Sequence, residues 1–352
     1  MGNVVSYFID GNTSKGYKSF YASNLQGLDS IYALTGASGY DCSKILEQLG
    51  LYCAVKGFAA EHFWGAKDCF IKGLVLPEKS TALIVRERND DLSYDDKVEI
   101  NTIDFGGYIK HDNEQDIDYI IESAYCQAYR IFEQALKIHD EWEKIYIEHM
   151  DFSKANEYAN CLIDRIYGDK KKDKHAVIKD RFMGAATYEG PKDFIPDITR
   201  SIKKRYLIKG RPGTGKSSLL KALVRAGSER GFDIGRYHCG FDPDSLDMVV
   251  IRELDVTVFD STAPHEYFGQ WNGDEILDVY EVYIQADTDT RFESELNEII
   301  SRYQEKMREG TEMLAKAYSL KKEFEKVIYK RMNENRINEW VEIIMDRIGV
   351  KA

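Results

Sequence analysis

Gly210-Arg211-Pro212-Gly213-Thr214-Gly215-Lys216-Ser217 decides the fold of this 352-residue chain. It fits G-x-x-x-x-G-K-[ST], the phosphate-binding loop of nucleoside triphosphatases. At a background glycine usage of about 7 %, the pattern arises by chance in roughly one chain in a hundred of this length. Its flanks agree with it. Tyr206-Leu207-Ile208 reads as a strand leading in, and Ser217-Ser218-Leu219-Leu220-Lys221-Ala222-Leu223-Val224 reads as a helix leading out. The residue types follow from the chemistry of a dense anion. Backbone N–H groups at a helix start are oriented donors for it, and glycines let the backbone wrap it closely. Lys216 supplies a point charge, and the Ser217 hydroxyl is placed to ligate Mg²⁺. Gly210, Arg211, Pro212, Gly213, Thr214, Gly215, Lys216, Ser217 and Ser218 are therefore the expected nucleotide-binding set, with Lys216 also catalytic.

The loop belongs to an internal repeat. A shift of 174 positions carries Phe8 onto Phe182, Thr13 onto Thr187, Gly16 onto Gly190, Phe20 onto Phe194, Tyr32 onto Tyr206, Gly36 onto Gly210, Gly39 onto Gly213 and Ser43 onto Ser217. Toward the ends of the two copies the shift becomes 182. Glu141, Glu143, Met150, Asn156 and Arg165 then match Glu323, Glu325, Met332, Asn338 and Arg347. Each copy reads as a lead-in segment, a strand, the loop, a helix, further strands and a long helix-patterned region. The strands are Ile31-Tyr32-Ala33-Leu34 and Ala82-Leu83-Ile84-Val85, then Tyr206-Leu207-Ile208 and Val256-Thr257-Val258-Phe259. Short apolar runs alternating with helices predict an α/β fold: tandem units, each a mainly parallel sheet flanked by helices and closed by its own helical region. The expected division is 1–168, a charged linker at 169–180, and 181–352. The helical regions span about 114–167 and 291–348, with Asn333 and Asn335 marking a turn between two antiparallel helices.

The first copy has lost the chemistry. Its loop is Gly36-Ala37-Ser38-Gly39-Tyr40-Asp41-Cys42-Ser43, with Asp41 in place of Gly215 and Cys42 in place of Lys216. A carboxylate would repel phosphate, and a neutral thiol cannot replace an ammonium. It is expected to survive as a pseudo-copy that binds no triphosphate.

In the second copy Asp260 ends the run Val256-Thr257-Val258-Phe259, where a carboxylate would hold Mg²⁺ together with Ser217. Many ATP-hydrolysing proteins place a glutamate directly after this aspartate to orient water. Here that place holds Ser261, and Thr262, His265 and Glu266 follow. His265, which titrates near neutrality when unperturbed, is the expected phosphate-sensing or catalytic group; a plain surface histidine fits the sequence as well. Asp242, Asp244 and Asp247 form a further acidic cluster. Asp242 or Asp244 would serve as the base if a small-molecule hydroxyl were phosphorylated, and Asp242-Pro243 equally reads as a turn. No [NT]-K-x-D motif follows the loop, which favours adenine over guanine. The segment from Phe182 to Phe194 could hold the base or simply pack in the core.

With a net charge of -12, nucleic acid is an unexpected partner. The cluster Lys170, Lys171, Lys172 and Lys174 lies among aspartates and reads as a solvated linker. The six cysteines form no C-x-x-C pair and are expected to be reduced, mostly buried thiols of a cytoplasmic protein. No apolar run is long enough to span a membrane.

The chain resembles a group of tandem-repeat P-loop ATPases from Gram-positive, often spore-forming bacteria. Tyr7-Phe8, the stretch from Gly11 to Gly16, and the stretch from Arg205 to Ser217 carry the resemblance. So do Asp242-Pro243-Asp244-Ser245-Leu246-Asp247 and Asp260-Ser261-Thr262-Ala263-Pro264-His265. The resemblance spans nearly the whole chain and implies nucleotide binding, with no physiological role attached. Asp41 and Cys42 depart from the intact first loop of that group. The expected function is a slow, Mg²⁺-dependent ATPase with one working site in the C-terminal half. The alternatives are a small-molecule kinase and a nucleotide-gated switch that meets a protein partner through its helical region. Arg86 or Arg88 could reach the working site as a finger.

Overall fold

Residues 2–87 and 100–350 are described by a computed structural model; Arg88 lies outside them. The first half contains β1 (Val4–Phe8), the hairpin β2 (Asp10–Thr13) and β3 (Gly16–Ser19), α1 (Tyr21–Leu25), β4 (Ser30–Thr35) and α2 (Gly39–Val55). It continues with β5 (Ala60–Trp64), β6 (Ile71–Leu76), β7 (Thr81–Val85), β8 (Ile100–Asp104), α3 (Glu114–Ile147) and α4 (Phe152–Tyr167). The second half repeats the order with β9 (Ile178–Phe182), β10 (Gly184–Thr187), β11 (Gly190–Asp193), α5 (Ile195–Thr199), β12 (Lys204–Lys209) and α6 (Lys216–Glu229). Then come β13 (Ile234–His238), β14 (Leu246–Ile251), β15 (Val256–Asp260), β16 (Asp274–Asp278), α7 (Val279–Tyr283), α8 (Thr288–Arg291), α9 (Glu293–Ile328) and α10 (Glu334–Arg347).

All the main strands join one 12-stranded sheet. From its centre outward the two halves are the same series, β1-β5-β6-β7-β4-β8 and β9-β13-β14-β15-β12-β16. Within each half only β6 or β14 runs against its neighbours, so the α/β class with a mainly parallel sheet is observed. The expected pair of separate sheets is instead one, because β1 and β9 meet antiparallel with Phe8 opposite Phe182. Those are the repeat-equivalent residues, so the seam is a local twofold. Pairing there removes two exposed sheet edges. Arg181 ties the seam: it pairs with Glu61 at 2.6 Å and lies 3.9 Å over the Tyr7 ring. Phe182 and Phe194 pack against Phe20 and Phe8, with ring centres 4.8 and 4.9 Å apart, so their recurrence is explained by the core.

The helical regions depart most from expectation. Each closes the opposite half. α3 and α9 run antiparallel, the start of one near the end of the other. They cross where Gly310 meets the Phe132 ring. α4 packs on α6 through Leu162, Ile166 and Tyr167, and α10 packs on α2 through Ile337, Val341 and Ile344. Length explains the exchange. The 34 residues of α3 span about 51 Å, whereas six strands span roughly 29 Å, so the helix overshoots the seam. Asn333 caps α10, accepting from the Arg336 N–H at 2.9 Å, while Asn335 lies inside that helix rather than in a turn. The cysteines also differ from expectation. Only Cys42 and Cys53 are buried, and Cys126 and Cys161 face outward from α3 and α4. Lys172 and Lys174 of the linker pair with Glu253, and Lys174 also with Asp233. Residues 178–180, expected in the linker, belong to β9.

Candidate functional site

β12 delivers the chain to Gly210, and the loop turns through Gly213 at φ 75° and Gly215 at φ 76°. These left-handed conformations favour glycine. Gly215 caps α6, whose first-turn N–H groups have no acceptor within the helix. Thr214 steadies the turn, its hydroxyl donating to the Arg211 carbonyl at 2.7 Å. Lys216 is buried, and its ammonium donates to the same carbonyl at 2.8 Å and lies 3.5 Å from Asp260. The loop, the lysine and the strand-end carboxylate are thus brought together. Ser217 Oγ accepts from the Leu246 N–H at 3.0 Å, while Ser218 is exposed on α6. Arg211 turns away toward Asp289 at 2.9 Å, and Pro212 lies half-buried beside it.

Asp260 has a neighbour that the sequence reading did not pair with it. Asp247 opens the run opposite β15, one position before Met248, which faces Phe259. Burial and the Asp260 charge push the Asp247 carboxyl up to about 6, against opposing pulls from Cys239, His265 and Lys216. The two carboxylates, and the Ser217 hydroxyl bound to the neighbouring Leu246 N–H, are hard oxygen donors of the kind Mg²⁺ takes. A cation there would relieve the like-charge repulsion, so these residues fit the ion.

The other expected groups are committed elsewhere. His265 Nδ1 lies 3.0 Å from Asp193, which also accepts from Tyr267 OH at 2.8 Å. Thr262 donates to Asp260 at 2.7 Å, Ser261 Oγ donates to the Tyr267 carbonyl, and Glu266 pairs with Lys209. Asp242 and Asp244 both hold Lys15 of the first half, at 2.8 and 2.6 Å. Asp242 also accepts from Ser245 Oγ, as the turn reading requires. Arg86 is exposed at the end of β7 in the first half.

α3 brings residues that the sequence reading missed. Its backbone at Glu143 lies directly against the loop: a Cβ on Gly213 would come 2.3 Å from the Glu143 carbonyl oxygen. His139, Asp140 and Glu143 offer ligand-type atoms within 4.8 Å of one another. Burial lowers the His139 pKa to about 4, helped by Lys216 and opposed by Asp242. Burial and Asp140 raise the Glu143 carboxyl, while the Gly213 N–H and Lys216 draw it down. From Asp140 a cleft of about 490 Å³ runs along α3 past Glu133, Arg130 and Lys15. The repeat itself was the available signal, since it aligns Glu143 with Glu325.

The first half shows what the same place becomes without the glycine-turned loop. α2 begins at Gly39, capped by Ser38, so residues 39–41 are helical where the second half has loop. The buried Asp41 accepts from Ser38 Oγ at 3.0 Å and from the Met332 N–H at 3.3 Å. By strand register Lys72 replaces Asp247 and Val85 replaces Asp260. Lys72 pairs with Asp68 and Glu87. Lys321, the repeat equivalent of His139, arrives on α9 and pairs with the same two carboxylates at 3.1 and 2.8 Å. A protein-only ion network fills this site. Among the described residues no helix is long and apolar enough to cross a membrane. Comparison of the chain with family models, with curated proteins and with solved structures returned no match.

Proposed function

We propose that the second half binds ATP with Mg²⁺ at Gly210–Ser218 and hydrolyses it slowly, and that the first half binds no nucleotide. In this reading both halves are P-loop units of the tandem-repeat group that the sequence resembles. The observation that carries it is the meeting of Lys216, the glycine-turned loop and Asp260 at the start of α6. Lys216 and the loop N–H groups would stabilise charge developing on the transferred phosphoryl group. Ser217, Asp260 and Asp247 would hold Mg²⁺, which supplies charge neutralisation of the phosphates when bound. The ion network around Lys72 and Lys321 supports the assignment of a single site.

A second reading, a nucleotide-gated switch, is favoured by the contact of α3 with Gly213. Nucleotide entering the loop would shift a helix that runs the length of the molecule, and a protein partner could read that shift. The kinase reading is weaker, because Lys15 neutralises both candidate bases, Asp242 and Asp244.

The test is equilibrium binding of ATP and GTP with Mg²⁺, with phosphate release followed on the same samples. Wild type is expected to bind one ATP per chain and release phosphate, and Lys216→Ala to do neither. Two ATP per chain would overturn the single-site reading. Binding without release would favour the switch.

A further inference from the structure

We propose that Glu143, delivered on α3 by the first half, is the water-activating carboxylate of the second half's loop. This rests on the ATPase reading above. It answers a gap at the strand end: Ser261 follows Asp260, and its hydroxyl donates to Tyr267 while accepting the Tyr267 N–H. Several carboxylates around the loop are engaged with other side chains, and Asp140 beside Glu143 is exposed. Asp242 and Asp244 hold Lys15, Glu266 holds Lys209, Asp289 holds Arg211, and Asp247 faces Cys239 and Asp260. Glu143 is different. Its backbone touches Gly213, its half-buried carboxylate is raised by burial and drawn down by the Gly213 N–H and Lys216, and the His139 imidazole lies 3.7 Å from it. Burial lowers the pKa of that imidazole, so His139 at neutral pH offers no full charge to quench the base.

The repeat supports placement by design of the fold. Glu325 occupies the same position on α9, with its carboxylate 3.7 Å from the point where a Gly39 Cβ would stand. There Lys321 lies 3.8 Å away, and the loop has become helix. Both long helices therefore carry a glutamate across the molecule to the opposite half's loop, and only one such glutamate meets an intact loop. On this view the degenerate half is kept because it delivers a catalytic group.

In the step proposed, a water oxygen attacks the terminal phosphorus and forms the new P–O bond. The water proton passes to the Glu143 carboxylate. The bond from that phosphorus to the bridging oxygen breaks, its electron pair leaving with ADP. Glu143 returns its proton to solvent as phosphate departs, so the products are ADP, inorganic phosphate and one proton.

The experiment compares wild type, Glu143→Gln, Glu143→Asp and Lys216→Ala in Mg²⁺-ATP binding, single-turnover phosphate release and thermal melting. Glu143→Gln is expected to bind ATP within about threefold of wild type and to lose phosphate release by about 10²-fold or more, within the range of a general base. Glu143→Asp is expected to recover part of that loss. Release by Glu143→Gln at the wild-type rate would overturn the proposal while leaving the ATPase reading intact. So would tighter ATP binding by Glu143→Gln with undiminished release, which would make Glu143 an internal plug. Wild type that binds no ATP, or binds it without release, would overturn the ATPase reading and this proposal together. A Glu143→Gln protein that does not melt cooperatively is replaced by Glu143→Ala, where release at the full wild-type rate again overturns the idea.

Discussion

Asp247 shows how a single buried carboxylate beside another can weaken a fold. Its carboxyl is pushed up to about 6, first by burial and then by Asp260. The unfolded value is about 3.9, so the folded chain holds this proton more tightly than the unfolded chain does. The stabilising contribution is complete below about pH 4 and is lost as pH rises through about 6. At pH 7 the ionised group destabilises the fold. Asp247→Asn is therefore expected to raise stability at pH 7 by roughly 1–3 kcal/mol, measured by urea unfolding, with the gain shrinking to nothing near pH 4. The same variant is expected to weaken the Mg²⁺ dependence of ATP binding, since one oxygen anion of the set is gone. An unchanged stability at pH 7 would mean that Asp247 and Asp260 do not repel each other as their placement implies. The sequence showed Asp247 only as one of three aspartates near a Pro. Its relation to Asp260 comes from the antiparallel register of β14 on β15, which no local pattern reveals.

At the scale of elements, α9 seals the first half with one side chain. Lys321 is largely buried and pairs with Glu87 at 2.8 Å and Asp68 at 3.1 Å. Removing one partner from a buried ion network leaves uncompensated charge and costs about 3–5 kcal/mol. Lys321→Met should show a loss of that size in denaturant unfolding, and it should not create nucleotide binding, because Asp41 and the early start of α2 remain. Lys137→Met provides the contrast. Lys137 and Glu133 are both exposed, and such pairs are worth about 0–1 kcal/mol. Equal effects from the two variants would contradict the sealed-site description. Most of the helical pattern was legible: Phe324, Val327 and Ile328 recur at helical spacing within α9, while Met332 falls between α9 and α10. Periodicity gives an apolar face and not the surface that the face will meet. The same pattern that predicted a helix over the second half therefore could not say that α10 rests on α2. What the sequence does contain is length, and the overshoot of a 34-residue helix past a six-strand half-sheet makes the exchange a geometric consequence.

For the whole molecule, the exchange of helices makes each half's core depend on the other. Tyr146, Leu162 and Tyr167 of the first half share a core with Leu220, Leu223 and Phe232. Ile337, Val341 and Ile344 of the second half share one with Ile45, Leu46 and Leu49. A third core lies beneath the seam, joining Tyr7 and Phe63 to Met183 and Tyr237. The repeat in the sequence announces two copies, and two copies suggest two folding units. The structure argues for one, because neither half can lose its partner without exposing the face that a borrowed helix covers. This is open to measurement with two tryptophans. Trp340 lies on α10, edge-on to Phe105 of the first half, and Trp142 lies on α3 against Tyr303. Single-tryptophan proteins retaining only Trp340 or only Trp142 are expected to unfold in urea at one shared midpoint, coincident with the loss of helical circular dichroism. The buried Arg181–Glu61 pair sharpens the test, because it joins β9 to β5 across β1. Glu61→Gln leaves the guanidinium without its counter-charge, so stability should fall by about 3–5 kcal/mol. Since the seam is common to both halves, both tryptophan midpoints should move down together. Two separated midpoints, or a shift confined to one reporter, would show that the halves fold independently and that the helices exchange between finished domains.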